Sequence, residues 1–203
     1  MNGSVVVKAL GPARRHKRKA AAVVTVEDPG RRNGLRFHSS PHPDHIVLRF
    51  EDVDVVDESV AMPRPGHVDA VLRFARENPE GTLLVHCKAG IARSTALALA
   101  VIADRLGPGR EREAVAELLS VRPQAAPNLL MLGFADDLLE RSGRLVEAWD
   151  AVENSDPEYA EHRRQKLDIL HKRPDLFARA GEAPLPALRF RRQTTRPEMI
   201  RID

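Results

Sequence analysis

The segment Val85-His-Cys-Lys-Ala-Gly-Ile-Ala-Arg-Ser-Thr95 places the only cysteine of the chain, Cys87, five residues ahead of Arg93, with the hydroxyl of Ser94 immediately after. A thiol, a guanidinium and a hydroxyl at this spacing suit attack on an anionic centre. The thiolate is the nucleophile, the guanidinium grips two oxygens in a fork and follows the charge as it moves, and lysine would do that work less well. The residues between them, Lys88, Ala89, Gly90, Ile91 and Ala92, carry a glycine where the backbone must curve tightly. Successive amides can then point inward and hold an oxyanion.

Two elements must position this loop. Upstream, Gly81-Thr-Leu-Leu-Val-His86 is a short apolar run that reads as a buried strand. Downstream, Ser94 to Arg105 is rich in Ala and Leu and apolar around most of its circumference, which predicts a buried helix. The loop therefore sits at the carboxyl end of a strand and the amino end of a helix, where the helix field favours the thiolate.

These residues resemble the signature of the cysteine-dependent tyrosine and dual-specificity phosphatases, His-Cys-x5-Arg followed by Ser or Thr, matched at His86, Cys87, Gly90, Arg93 and Ser94. The resemblance implies that Cys87 attacks phosphorus to form a cysteinyl-phosphate, that Lys88 to Arg93 bind the phosphate, and that His86 orients the loop. It also implies that Ser94 assists the thiolate when the intermediate is hydrolysed, and that an aspartic acid on another loop protonates the leaving oxygen. Asp52, Asp54 and Asp57 compete for that role. Asp52 falls at the family's usual spacing ahead of the cysteine, and Phe50-Glu51-Asp52-Val53 matches the Phe-x-Asp-Val/Ile arrangement of small bacterial-type members. It is taken as the acid, with Asp57 and then Asp54 in reserve. Glu51 and Glu58 read as solvated. Arg122-Pro-Gln-Ala-Ala-Pro-Asn128 resembles the stretch that joins the last two helices of the family. Asn128 reads as an N-cap after a proline turn, and in relatives the same position lies near the loop.

The rest of the pattern alternates strands and helices: strands at Ser4–Lys8, Ala21–Val26, Leu35–His38 and His45–Phe50, and helices from about Gly11, from the Pro63-Arg-Pro-Gly-His67 entry to about Glu77, from Glu111 to Val121 and from Asn128 to Gly143. This is an α/β chain with a central, mostly parallel sheet flanked by helices, the tyrosine-phosphatase-like (dual-specificity phosphatase) fold that the resemblance implies from about Val5 to Val146. Residues 1–149 read as the phosphatase domain. Residues 150–203 read as a helical, then proline- and arginine-rich extension, either a strap packing on a surface or partner or a basic tail, with Trp149 as its anchor.

Composition bounds the remaining options. With 203 residues and 42% hydrophobic content the chain can bury a core. One cysteine excludes an intrachain disulfide, and a reactive thiol suits a reducing cytosol. No apolar run reaches the ~18 residues of a membrane span. The net charge of +3 is concentrated at Arg14–Lys19 and Arg189–Arg196, blocks that read as solvated basic faces attracting phosphorylated substrates rather than as a nucleic-acid surface. His38, His42 and His45 could suggest a metal cluster, but the Ser-Ser-Pro and Pro-Asp between them read as a turn, and the chemistry that the resemblance implies needs no metal or other cofactor. The expected partner is a phosphorylated protein, phosphotyrosine first, or a small phosphate ester. The alternatives are a phosphoinositide or small-molecule phosphatase with the same residues, a silent phospho-binding adaptor, and, last, arsenate reduction or sulfur transfer, which lacks the extra cysteines such turnover needs.

Overall fold

The computed structural model describes residues 3–29, 42–180, 188–191 and 198–201. Among the described residues, four parallel strands make up one side of a six-stranded sheet: β1 (Ser4–Ala9), β2 (Ala22–Glu27), β3 (His45–Arg49) and β4 (Thr82–Cys87), in the order β1-β4-β2-β3 with β1 at the edge. The antiparallel pair β5 (Leu188–Arg191) and β6 (Glu198–Arg201) continues the sheet beyond β3. The strand expected at Leu35–His38 lies outside the described residues.

The helices are α1 (Leu10–His16), α2 (Pro65–Glu77), α3 (Arg93–Leu106), α4 (Glu111–Val121), α5 (Leu129–Leu138), α6 (Arg144–Glu153) and α7 (Pro157–Lys172). Strand β4 is paired on both sides, Val85 opposite Val7 on β1 and Val24 on β2. Its unbroken apolar run follows from burial on both faces, as parallel strands require. Helix α3 is buried from Arg93 to Ala103. Leu97, Leu99 and Ile102 lie in the main core with Phe50, Phe74 and Trp149, each such side chain contributing about 1.5–3 kcal/mol on removal from water. Strand β4 and helix α3 are thus fixed by the core, and the loop between them inherits that rigidity.

The single helix expected over Asn128–Gly143 is two. Helix α5 stops at Leu138, the chain turns through positive φ at Glu140 and Ser142 (56° each), and α6 restarts with its first amides held by the buried Asp136 carboxylate, whose Oδ2 accepts from Leu145 at 2.7 Å. Helix α6 runs across the 149/150 boundary expected from the sequence. Beyond it, α7 packs back on the molecule: Leu170 joins Val53, Val60 and Met62 in a separate apolar cluster that also takes in Leu130 and Phe177. Trp149, fully buried, donates to Glu153 at 2.9 Å and meets the edge of Tyr159 with ring centroids 5.6 Å apart. No described helix is long and apolar enough to cross a membrane.

Candidate active site

The loop from Lys88 to Ala92 is held from outside by its carbonyl groups. Lys88 O accepts from Leu10 N at 3.1 Å and Ile91 O from Ala126 N at 2.9 Å. Ala89 O and Gly90 O accept from Arg122 Nη2 and Nε at 3.1 and 2.8 Å. Ala92 O accepts from Thr95 Oγ1 at 2.8 Å and from Asn128 N at 3.3 Å. Every carbonyl from 88 to 92 is thus taken by a partner outside the loop, while the Gly90 amide points inward to Cys87 Sγ. Gly90 sits at φ +69°, where a Cβ would lie 2.7 Å from the backbone of Lys8 and Ala9, so the curve needs glycine. Ala92 precedes α3 with no side-chain cap, which leaves the first helical amides open to an anion.

Cys87, 3% exposed, lies at the floor of this cradle. Its Sγ is 3.2 Å from Ser94 Oγ and accepts from Gly90 N at 3.3 Å. Arg93, 4% exposed, is fixed in position: Nη1 donates to Phe50 O at 2.7 Å and Nη2 to Asp28 Oδ1 at 2.7 Å, with Nε 3.9 Å from Asp52 Oδ2. His86 points under the sheet. Its Nε2 meets Thr25 Oγ1 at 2.7 Å, and the same hydroxyl meets His45 Nε2 at 2.6 Å. Its Nδ1 lies 3.4 Å from Cys87 O. Burial pushes the His86 imidazole down to about 4, against a weaker opposing hydrogen bond to Cys87 O, and holds His45 well below the usual range, so both rings are neutral at pH 7.

The three aspartates separate cleanly. Asp52 lines a cleft of about 270 Å³ with Cys87, Lys88 and Arg93. Its Oδ1 accepts from Asn128 Nδ2 and from Lys166 Nζ, both at 2.9 Å. Burial pushes the Asp52 carboxyl up, but the Lys166 and Arg93 cations and the hydrogen bonds from Lys166 and Asn128 outweigh it, and the group is held below the ordinary carboxylate value. Asp54 accepts from Leu129 N (3.0 Å), with Lys166 Nζ at 2.7 Å and Arg163 Nη1 at 3.5 Å. Asp57 closes a turn by accepting from Ser59 N at 2.9 Å and Ser59 Oγ at 2.6 Å.

Asn128 is both a cap and a buttress: Oδ1 accepts from Met131 N at 3.0 Å, while Nδ2 donates to Asp52 and to Val53 O at 2.8 Å. Glu51, expected to be solvated, is half-buried and accepts from Ala178 N at 3.0 Å, because the extension covers this loop. His42 and His45 are buried and serve structure, His42 bonding Asp44 O at 2.7 Å and Ala20 O at 3.0 Å; His38 lies outside the described residues.

Sequence reasoning missed Asp28, Arg122 and Lys166. Arg122 opens the Arg-Pro-x3-Pro-Asn stretch and could have been suspected from it. Asp28 stands in a turn and Lys166 on a highly charged helix, and neither carries a local signal.

No family model and no curated protein matches the chain. Solved structures do. The human tyrosine phosphatase-like serine/threonine/tyrosine-interacting protein matches at 16% identity and TM-score 0.50, over 66% of this chain and 90% of that one. Human DUSP28 matches at 18% and 0.49, over 67% and 91%, and PTPMT1 in complex with PI(5)P at 18% and 0.46, over 68% and 94%. The chain has a tyrosine-phosphatase-like, dual-specificity phosphatase fold. At these identities the likeness is one of fold, and the chemistry rests on the site itself.

Proposed function

We propose that this chain is a phosphoric monoester hydrolase, a cysteine-dependent phosphatase of the tyrosine/dual-specificity type acting by two displacements. The observation that carries this is the cradle: the Gly90 amide bonded to Cys87 Sγ, with Arg93 fixed by Phe50 O and a single carboxylate, Asp52, lining the same cleft. The Cys87 thiolate attacks phosphorus while the loop amides and Arg93 take the charge of the equatorial oxygens. The leaving oxygen takes its proton from the Asp52 carboxyl, which completes the first displacement. The Asp52 carboxylate then accepts a proton from water as that water attacks the cysteinyl-phosphate. The Ser94 hydroxyl, 3.2 Å from Sγ, stabilises the departing thiolate. His86, with Asn128 and Arg122, holds the loop and the acid in place. Protein phosphotyrosine is the substrate class put forward, in a reducing cytosol that keeps the lone thiol active. The basic residues that line the cleft favour a second class, small multiply charged phosphate esters.

The test is hydrolysis of phenyl phosphate by wild type, Cys87→Ser and Asp52→Asn between about pH 5 and 8, with vanadate as competitor. Activity absent in Cys87→Ser and reduced about 10²–10⁴-fold in Asp52→Asn, with its basic limb flattened, is expected. Vanadate binding by a wild type that turns nothing over would replace the hydrolase with a phospho-binding adaptor.

A further inference from the structure

The far wall of the catalytic cleft is built by the extension. Lys166, His162 and Ile169 on α7, together with Phe177, line it opposite Cys87 and the cradle. None of these residues belongs to the part of the sequence that resembles the phosphatase core, which ends near Val146.

The charges in the cleft are unequal. Arg93 lines the cleft with both terminal nitrogens already bonded, Nη1 to Phe50 O and Nη2 to Asp28. Three more basic side chains line the cleft, Lys88, His162 and Lys166, against one carboxylate, Asp52. That carboxylate lies between two cations, Lys166 Nζ 2.9 Å from one oxygen and Arg93 Nε 3.9 Å from the other. A general acid must be protonated when the leaving oxygen departs, and Lys166 opposes this. Lys166 also touches Asp54 at 2.7 Å, and Asp54 is held by Leu129 N and Arg163. An ammonium drawn off Asp52 therefore stays tethered at the cleft wall.

On the phosphatase reading above, we propose that Lys166 is a displaceable counter-ion of Asp52 and that the site prefers phosphomonoesters bearing a second anionic group beside the scissile phosphate. The second anion takes Lys166, the carboxyl of Asp52 regains its proton, and proton donation to the leaving oxygen follows. The groups around Asp52 are then Arg93 from the cradle, Asn128 before α5, Lys166 and His162 from α7, and Asp54 from its own loop. Lys166 is a positioning residue that acts through Asp52, and the apolar side chains of Ile91, Ile169 and Phe177 receive the body of the ester.

The experiment uses the full chain and an isosteric pair with matched shape, 3-carboxyphenyl phosphate and the neutral 3-carbamoylphenyl phosphate, with kcat and kcat/KM followed over about pH 5 to 8. Wild type is expected to prefer the carboxylate by roughly tenfold, the scale of one charge-assisted hydrogen bond. The basic limb of its kcat should lie at higher pH with the carboxylate than with the amide. In Lys166→Met the preference disappears and the basic limb of kcat/KM for the carbamoyl ester moves up by about one pH unit. Lys166→Arg keeps the wild-type behaviour, as does Lys172→Met, at an exposed position on the same helix paired with Asp168. Equal rates on the two esters in wild type overturn the proposal alone. So does a Lys166→Met enzyme that loses activity on both in parallel with its limb unmoved, which would make Lys166 structural. Absence of turnover on either ester overturns the phosphatase reading and the proposal with it.

Discussion

Replacing His86 by Asn should change how the stability of the protein depends on pH, independently of how much stability it removes. The imidazole is 1% exposed, bonded to Thr25 Oγ1 at 2.7 Å, and pushed down to about 4 by burial. The Cys87 carbonyl 3.4 Å from Nδ1 places the proton of the neutral ring on that nitrogen, so Nε2 accepts from Thr25 and the Thr25 oxygen accepts from His45 Nε2–H. In the unfolded chain the ring titrates near 6.5. Between about pH 6.5 and 4 the unfolded chain therefore holds a proton that the folded one refuses, and stability rises with pH across that window. The contribution is fully present above about pH 6.5 and lost as pH falls to 4. At 1.36 kcal/mol per unit it amounts to about 3 kcal/mol, with a slope near 1.4 kcal/mol per pH unit around pH 5. His45 and His67, both also held down by burial, add to the wild-type slope in the same direction. Asparagine does not titrate. Urea unfolding at half-unit steps from pH 4.5 to 7.5 should show the His86→Asn slope reduced by about 1.4 kcal/mol per unit relative to wild type, over and above a constant loss from the broken hydrogen bonds. Two curves that run parallel through this window would refute a neutral, buried His86.

Gly90→Ala should lower the urea midpoint by the equivalent of about 2–5 kcal/mol, combining a left-handed residue of about 1–2 kcal/mol with a backbone clash of about 1–3, and weaken vanadate inhibition measured in parallel. Asn128→Ala should cost about 2–4 kcal/mol by urea titration, because a cap is lost and Val53 O is left buried without its donor. Its kcat should fall more than its KM changes, because the same amide holds Asp52.

The cradle was legible in the sequence because local rules and the core agree there. The strand is short and apolar, the helix is apolar all round, and the expected spans differ from β4 and α3 by a residue at most ends. The sequence argues the choice among Asp52, Asp54 and Asp57 from spacing; in the fold Asp52 lines the cleft with Cys87, Asp54 bonds Leu129 N and Lys166, and Asp57 folds back on Ser59. Where the expectations failed, a buried polar group had replaced a local signal. The helix break after Leu138 depends on Asp136, whose carboxylate caps α6 from inside the protein, and in sequence Asp136-Asp137 is only a polar pair within an apolar stretch. The pairing of β5 with β3 was equally hidden, since Leu188-Arg-Phe-Arg191 alternates over too few residues to announce a strand.

The extension covers the apolar residues of the loop that follows β3. Val53, Val60 and Met62 lie in a segment that carries Asp52, Asp54, Asp57 and Glu58, and an isolated loop of that composition would leave them in water. Leu170 and Phe177 cover them. The backbone is tied at the same place, Ala61 N to Ala178 O at 2.8 Å and Ala180 N to Ser59 O at 3.1 Å, and Arg163 joins α7 to Glu153 at 2.6 Å and to Pro127 O at 3.0 Å. Burying these side chains contributes several kcal/mol, at about 1.5–3 kcal/mol each, to a loop also held by Arg93, Asn128 and Leu129 N. The position of Asp52 relative to Cys87 is therefore set jointly by the core and by residues 157–180, and shortening the chain to residues 5–146 would free the loop around Asp52 along with the extension.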